Sequence, residues 1–315
     1  MRPVIIAHRG ASGHLPEHTL QAKALAFAMG ADYLEQDIVA TRDDRLVVLH
    51  DIHLDGVTDV ASRYPDRARE DGRYYVRDFD LAEIGTLRVH ERRDTDGQQV
   101  FPGRRNHDGA DFRVHTLERE LELVRILTGS GGRDVGIYPE IKSPVWHQEE
   151  GVDISMLVLD VLRRYGYTSH NDPVYLQCFD EHELQRIRQE LGCKLKLVQL
   201  IDEDTLELVL TNFSATQVEE KLKALSGTVE GIGPPVNKLY TVEDGRIEDR
   251  GFVAKAHAQG LVVHPYTFRD DSLPPGFATI DELFEFAVGQ LNIDGFFTDF
   301  PDSAARYLQR HRTKK

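Results

Sequence analysis

Short apolar runs that alternate with stretches of helical periodicity constrain this chain more than any other feature. Val4 to Ala7 is a continuous apolar run. Pro16 to Met29 follows it with Leu20, Ala24, Phe27 and Ala28 at helical spacing, and Gly30 stands where a helix C-terminus is closed. Runs of the same buried-strand type recur at Tyr33 to Val39 with Leu46 to Leu49, Val135 to Ile141, Val174 to Cys178, Leu195 to Leu200, Gly231 to Gly233, Leu261 to His264 and Gly295 to Phe297. Helix-like stretches near 117–129, 151–165, 181–191, 204–225, 249–259 and 280–291 separate them, and several end in a glycine such as Gly192 or Gly260. Strand and helix units in this number predict an α/β protein of the (β/α)8 TIM-barrel class over an open doubly wound sheet.

One stretch breaks the rhythm. Residues 52–113 are rich in Arg, Asp, Gly and Tyr and are too long for an ordinary connection. They predict an insertion subdomain after the second strand, with 1–51 and 114–315 forming the barrel. The insertion leaves the chain directly after His50-Asp51, which suggests a cap at the barrel mouth that contributes side chains to the substrate site.

Charge narrows the partners. The chain carries 38 Lys and Arg against 53 Asp and Glu, a net charge of −15, so nucleic acid and anionic lipid surfaces are disfavoured as bulk electrostatic partners. A small anionic substrate remains compatible if basic residues collect in one pocket. No run reaches the roughly 18 to 20 apolar residues of a membrane-spanning helix. The two cysteines, Cys178 and Cys193, sit in strand-like apolar contexts that suit buried free thiols.

In a barrel of this class the chemistry sits at the C-terminal strand ends, so the polar residues that close each run are the informative ones. His8, Arg9 and Gly10 follow the first run; Glu35 and Asp37 lie in the second, and His50 and Asp51 follow its continuation. Glu140, Ile141 and Lys142 close the third, Gln177, Cys178 and Phe179 the fourth, and His264 and Tyr266 follow the seventh. Glu35 and Asp37 are two apart and leave one face of a strand together. With Glu140 they form an all-oxygen set suited to Ca²⁺ or Mg²⁺, or else pair with Arg or Lys on neighbouring helices; both readings stay open here. His8 and His50 suit the acid and base halves of a displacement. His14, His18, His53, His115, His182 and His257 are read as surface or hydrogen-bonded residues. Arg9-Gly10 offers a guanidinium fork and a backbone open to close approach by an anion, which points to a phosphate oxygen. Lys142 either contacts that phosphate or pairs with Glu140. Three carboxylates, one divalent cation, a phosphodiester anion and the two basic side chains cancel to neutrality.

The segments His8-Arg9-Gly10-Ala11-Ser12-Gly13, Pro16-Glu17-His18-Thr19, Leu34-Glu35-Gln36-Asp37, Leu49-His50-Asp51 and Pro139-Glu140-Ile141-Lys142 resemble those of the glycerophosphodiester phosphodiesterases. Leu176-Gln177-Cys178-Phe179, Val262-Val263-His264-Pro265-Tyr266 and Phe297-Thr298-Asp299-Phe300-Pro301 extend the resemblance over nearly the whole chain. It is strongest to the bacterial periplasmic branch with a long insertion. The resemblance implies a (β/α)8 barrel that hydrolyses glycerophosphodiesters such as glycerophosphocholine and glycerophosphoethanolamine to sn-glycerol 3-phosphate and an alcohol. It implies His8 and His50 as the acid–base pair and Glu35, Asp37 and Glu140 as ligands of one divalent cation, Ca²⁺ before Mg²⁺. Arg9 and Lys142 would then hold the phosphate, and Phe179 and Tyr266 would line the alcohol side. Many family members carry Asn where His18 follows Glu17 here. The resemblance further implies a periplasmic protein whose signal peptide was removed, or else a cytoplasmic member, and a homodimer stays open. A metal-assisted lyase acting next to a carboxylate, and a barrel kept only for binding, are the competing classes.

Overall fold

The computed structural model describes residues 2–105 and 110–312; positions 106–109, part of the expected insertion, lie outside the described residues. Its strands are β1 (Val4–Ala7), β2 (Tyr33–Ala40), β3 (Leu46–Val48), β4 (Gly136–Ile141), β5 (Tyr175–Cys178), β6 (Lys196–Leu200), β7 (Gly231–Gly233), β8 (Tyr240–Glu243), β9 (Arg246–Asp249), β10 (Val262–Val263) and β11 (Gly295–Thr298). Runs rich in Val, Ile and Leu with no polar alternation suit strands buried on both faces, the condition of a parallel sheet under helices. Eight of these strands pair in parallel in the order β10-β7-β6-β5-β4-β2-β1-β11. Single backbone bonds close the seam between β10 and β11: Asp294 N–H donates to the Val263 carbonyl at 3.1 Å and Phe297 N–H to that of Pro265 at 3.0 Å. The expected (β/α)8 barrel is therefore present.

Two apolar layers follow from the pleat, because successive residues of a barrel strand face opposite sides. Ile6, Tyr138, Val198 and Phe297 cluster apart from the main core and fill the barrel interior. Ile5, Leu34, Ile137, Leu176 and Phe296 belong to the larger core between strands and helices.

Several elements differ from expectation, each for a local reason. The first helix runs Leu20–Ala28 and starts at Leu20, not Pro16, because the Thr19 side chain accepts the Ala22 N–H at 3.2 Å and caps it. It buries Ala22, Lys23 and Ala26, not the face of Leu20 and Ala24. Lys23 can be buried because its Nζ meets Glu120 Oε1 at 2.9 Å, while His115 Nε2 holds the other Glu120 oxygen at 2.7 Å. The stretch 204–225 is two helices, Glu203–Asn212 and Ala215–Leu225, broken where Ser214 and Gln217 form a capping box. The β8–β9 hairpin and a C-terminal helix, Pro301–Arg312, add elements the periodicity did not single out.

β3 runs antiparallel to β2 outside the wall. Its outer face and that of β2 supply Val39, Val47 and Leu49 to a second apolar core with Leu54, Val60, Val76, Phe79, Ile84 and Leu87 of the insertion. Among its described residues the insertion holds two short helices, Val60–Arg63 and Leu81–Ile84, with 3-10 turns between them and isolated bridges such as Thr58 to Val89. It is fastened to the barrel by polar contacts as well, including the paired bonds from Arg69 to Glu150 at 2.7 and 3.1 Å and the stacking of Tyr75 on Trp146.

Candidate active site

The C-terminal strand ends open into a cavity of about 320 Å³. His8, Arg9, Glu35, Asp37, His50, Glu140, Lys142, Phe179 and Tyr266 all line it, so the fold brings these nine expected side chains together. Among the described residues no member of the insertion lines this cavity, whereas Arg269 and the run from Ser272 to Pro275 do. The described part of the insertion thus supplies no side chain to the lining, where a cap was expected.

Glu35 and Asp37 leave the same face of β2, and the β2–β4 register sets Asp37 beside Glu140. All three are buried, and one oxygen of each lies within 4.8 Å of the others. Burial, followed by the neighbouring Asp37, pushes the Glu35 carboxyl well above its usual range. Burial likewise raises Glu140 to about 8 against the pull of Lys142. Asp37 is held well below its usual range despite burial, by Lys142, His50 and His18. His18 Nε2 sits 2.7 Å from Asp37 Oδ2, whereas the buried Oδ1 finds no hydrogen-bond donor. Crowded oxygen donors with one unsatisfied lone pair fit a hard divalent cation, which would relieve the repulsion.

The two histidines share a plan. His8 Nδ1 meets Asp299 Oδ1 at 2.6 Å, and its Nε2 lies 4.0 Å from Glu35. His50 Nδ1 meets Asp51 Oδ1 at 2.6 Å. A carboxylate that accepts the Nδ1–H fixes the tautomer and leaves Nε2 free to take or give a proton. Burial, then the nearby Arg9, lowers the His8 pKa to about 4. His50 has 31% of its side chain exposed, yet removal from bulk water and the charges of Arg9 and Lys142 take it to about 3. Both imidazoles are therefore neutral near pH 7 without a bound anion.

Arg9 has a left-handed backbone, φ 57°, that costs a non-glycine residue about 1 to 2 kcal/mol. Its N–H donates to Glu35 Oε2 at 2.7 Å and its carbonyl accepts the His18 N–H at 2.9 Å, which holds it there. Arg9 Nη1 is shared between the two Glu17 oxygens at 3.0 and 3.1 Å, while the buried Nε makes no hydrogen bond and lies 3.5 Å from Asp37 Oδ2. Lys142 Nζ lies 2.7 Å from Glu140 and 3.8 Å from Asp37. Gly10 corrects an expectation: it does not line the cavity. Its φ of +91°, and a Cβ that would fall 2.9 Å from the Ala22 carbonyl carbon, make it the point where the first helix packs against the loop.

Phe179 stands 41% exposed with its ring edge-on to Tyr266 at 6.2 Å, so it faces the cavity and not the core. Tyr266 is fixed by its hydroxyl, which donates to the Ile201 carbonyl at 2.9 Å. His264 lies below the mouth, buried in the barrel with Nδ1 2.9 Å from the Tyr138 hydroxyl. Cys178 and Cys193 are buried free thiols, as expected. His14, His18, His53, His115, His182 and His257 stay outside the cavity lining. Sequence reasoning assigned no role to Asp299, Glu17, Arg92, Arg104, Arg269 or Gln177. Gln177 donates to Glu35 Oε1 at 3.2 Å, and Arg269 Nε meets Asp299 Oδ2 at 2.8 Å.

The model of the glycerophosphoryl diester phosphodiesterase family matches residues 8–303. A glycerophosphodiester phosphodiesterase of Haemophilus influenzae is 44% identical, over 97% of this chain and 90% of that protein. A solved structure from Silicibacter pomeroyi is similar with a TM-score of 0.74 at 23% identity, over 99% of this chain and 95% of the other. An Oleispira antarctica phosphodiesterase, solved in complex with the product sn-glycerol-3-phosphate, is similar with a TM-score of 0.65 at 20% identity, over 98% and 97%. At these identities the two structures bear on the fold alone.

Proposed function

The chain belongs to the glycerophosphoryl diester phosphodiesterase family, and from that premise we propose that it hydrolyses glycerophosphocholine, glycerophosphoethanolamine and similar diesters to sn-glycerol 3-phosphate and an alcohol. The observation that carries the reading is the convergence of two carboxylate-backed imidazoles, a buried arginine and an acidic triad on one cavity. The product named for the Oleispira antarctica phosphodiesterase agrees with it.

Glu35, Asp37 and Glu140 hold one divalent cation, Ca²⁺ by the family resemblance before Mg²⁺. When bound, such an ion neutralises charge that develops on the phosphoryl oxygens. Arg9 and Lys142 bind the diester anion. Burial, with Arg9 at both imidazoles and Lys142 at His50, keeps His8 and His50 neutral, and the anion's charge offsets the cationic part of that effect and favours a proton on one of them. The neutral histidine takes the proton of the attacking oxygen as the new P–O bond forms. That oxygen belongs either to water, which gives the products directly, or to the adjacent glycerol hydroxyl, which gives a cyclic phosphate that water then opens. The protonated one gives its proton to the alcohol oxygen as the old P–O bond breaks. Phe179 and Tyr266 line the alcohol side.

Turnover of glycerophosphocholine, coupled to detection of glycerol 3-phosphate, is the test. Chelation should abolish it and added Ca²⁺ or Mg²⁺ should restore it. Full activity in protein shown metal-free by elemental analysis overturns the metal assignment, and no turnover of either diester by metal-loaded protein overturns the substrate.

A further inference from the structure

Two arginines of the insertion reach the site from behind, although neither lines the cavity. Arg104 has a side chain only 5% exposed. Its Nη2 donates to Asp299 Oδ2 at 2.6 Å, its Nε and Nη2 fork onto Asp271 at 2.8 and 3.2 Å, and its Nη1 donates to the Ser12 carbonyl at 3.1 Å. Asp299 uses its other oxygen on His8. Arg92 repeats the arrangement at His50. Its Nε and Nη2 fork onto Glu17 at 2.9 and 2.7 Å, and its Nη1 donates to Asp51 Oδ2, whose other oxygen is on His50. Other arginines of the insertion, such as Arg67, Arg69 and Arg73, bond Glu83, Asp78, Glu150 and Asp55, away from the histidines.

We propose that Arg104 and Arg92 are positioning residues for the two imidazoles, Arg104 through Asp299 on His8 and Arg92 through Asp51 on His50, so that the insertion sets the geometry of acid–base transfer. The inference rests on the reading of His8 and His50 as the acid–base pair. A planar guanidinium tied to a second carboxylate cannot follow the aspartate if it turns, so the aspartate oxygen facing Nδ1 stays in place and the ring with it. Lysine carries the charge without the fork. Arg92 has a further effect: it shares Glu17 with Arg9. Without Arg92, Glu17 is left to Arg9 alone and draws it away from a bound phosphate.

Steady-state kinetics on the metal-loaded full chain tests this, with Arg104→Ala, Arg92→Ala, their lysine counterparts, and each alanine change repeated in His8→Ala. Arg104→Ala should lower kcat on the order of 10- to 100-fold with KM little changed. Arg92→Ala should lower kcat and also raise KM. Guanidinium ion at a non-denaturing concentration should restore part of the lost rate in Arg104→Ala. Added to His8→Ala, the Arg104 change should cost nothing more, because it acts through His8, whereas the Arg92 change should still cost rate through His50. If Arg104→Ala does not fold, Arg104→Lys carries the test, with the same direction and a smaller loss. A folded Arg104→Ala or Arg104→Lys protein with the wild-type kcat overturns the inference, as does an undiminished further loss in His8→Ala. A wild-type rate in His8→Ala itself would instead overturn the acid–base reading on which the inference stands.

Discussion

The wall of the cavity that carries His8 and the wall that carries His50 hold an imidazole by the same chemistry and by opposite kinds of connection. His8 is buried and takes its carboxylate from Asp299, 291 positions away. His50 takes its carboxylate from Asp51, the next residue, and keeps 31% of its side chain exposed. Asp299 is enclosed by Arg104 and Arg269 at 2% exposure, and Asp51 meets Arg92 at 28%. Enclosure makes the first wall dependent on every partner, because a buried charge left alone has no water to turn to. At the second wall, water can replace what a substitution removes.

The largest effects should be equal on both walls. Replacing His8 or His50 by Ala should lower kcat by on the order of 10² to 10⁴ with a smaller change in KM, because the proposed mechanism has each move a proton in the transition state. A diester with a p-nitrophenyl leaving group, which needs no proton, separates the walls: the variant that lost the acid should recover rate and the one that lost the base should not. If either variant keeps more than about a tenth of the rate, that histidine is not one of the pair.

Stability should break the symmetry. Asp299→Asn is expected to cost about 3 to 5 kcal/mol in urea unfolding, since Arg104 and Arg269 would face a neutral amide in a closed space. Glu120 shows whether enclosure alone sets such losses, since it is fully buried but does not line the cavity. Lys23, then His115 and Gln36, hold its carboxyl down to about 2 against the effect of burial. Its folded pKa lies below its unfolded value near 4.5, so its contribution, roughly 3 kcal/mol, is complete above pH 4.5 and lost as pH falls toward 2. Unfolding free energies between pH 5 and 3 should therefore converge for the parent and Glu120→Gln. A constant gap would mean that the pair holds by shape and not by charge. The smallest effect belongs to Asp51→Asn, about 1 kcal/mol or less. A loss there as large as at Asp299 would show that exposure does not separate the walls.

What could be read from sequence divides along the same line. Each of the eight apolar runs supplied a barrel strand, because burial on both faces leaves a continuous signal, while the Leu46 to Leu49 continuation of the second became β3 outside the wall. His50-Asp51 was visible because the two are adjacent. The strand-end rule also reaches Asp299, which follows Phe297-Thr298 as Arg9 follows the first run, but its partner His8 could be named only once β1 and β11 lay side by side. Arg92, Arg104 and Glu17 carry no local mark: an insertion rich in arginine and aspartate offers many pairings, and only the fold selects which are buried. Lys23 misled the helical reading for a related reason, since a lysine matched to Glu120 can occupy a buried face.

The pairing of β1 with β11, Val4 to Gly295 through Ala7 to Thr298, also fixes a schedule for synthesis. At roughly 5 to 20 residues per second, Asp299 is added about 15 to 60 s after His8. Throughout that interval the first strand emerges with one of its edges unpaired, open to other chains or to whatever shields it. His8 meanwhile has no carboxylate to orient it. The contact between His8 and Asp299 is thus completed only when the last strand meets the first, and a fragment that stops short of it would carry the acidic triad and both histidines with His8 lacking its carboxylate.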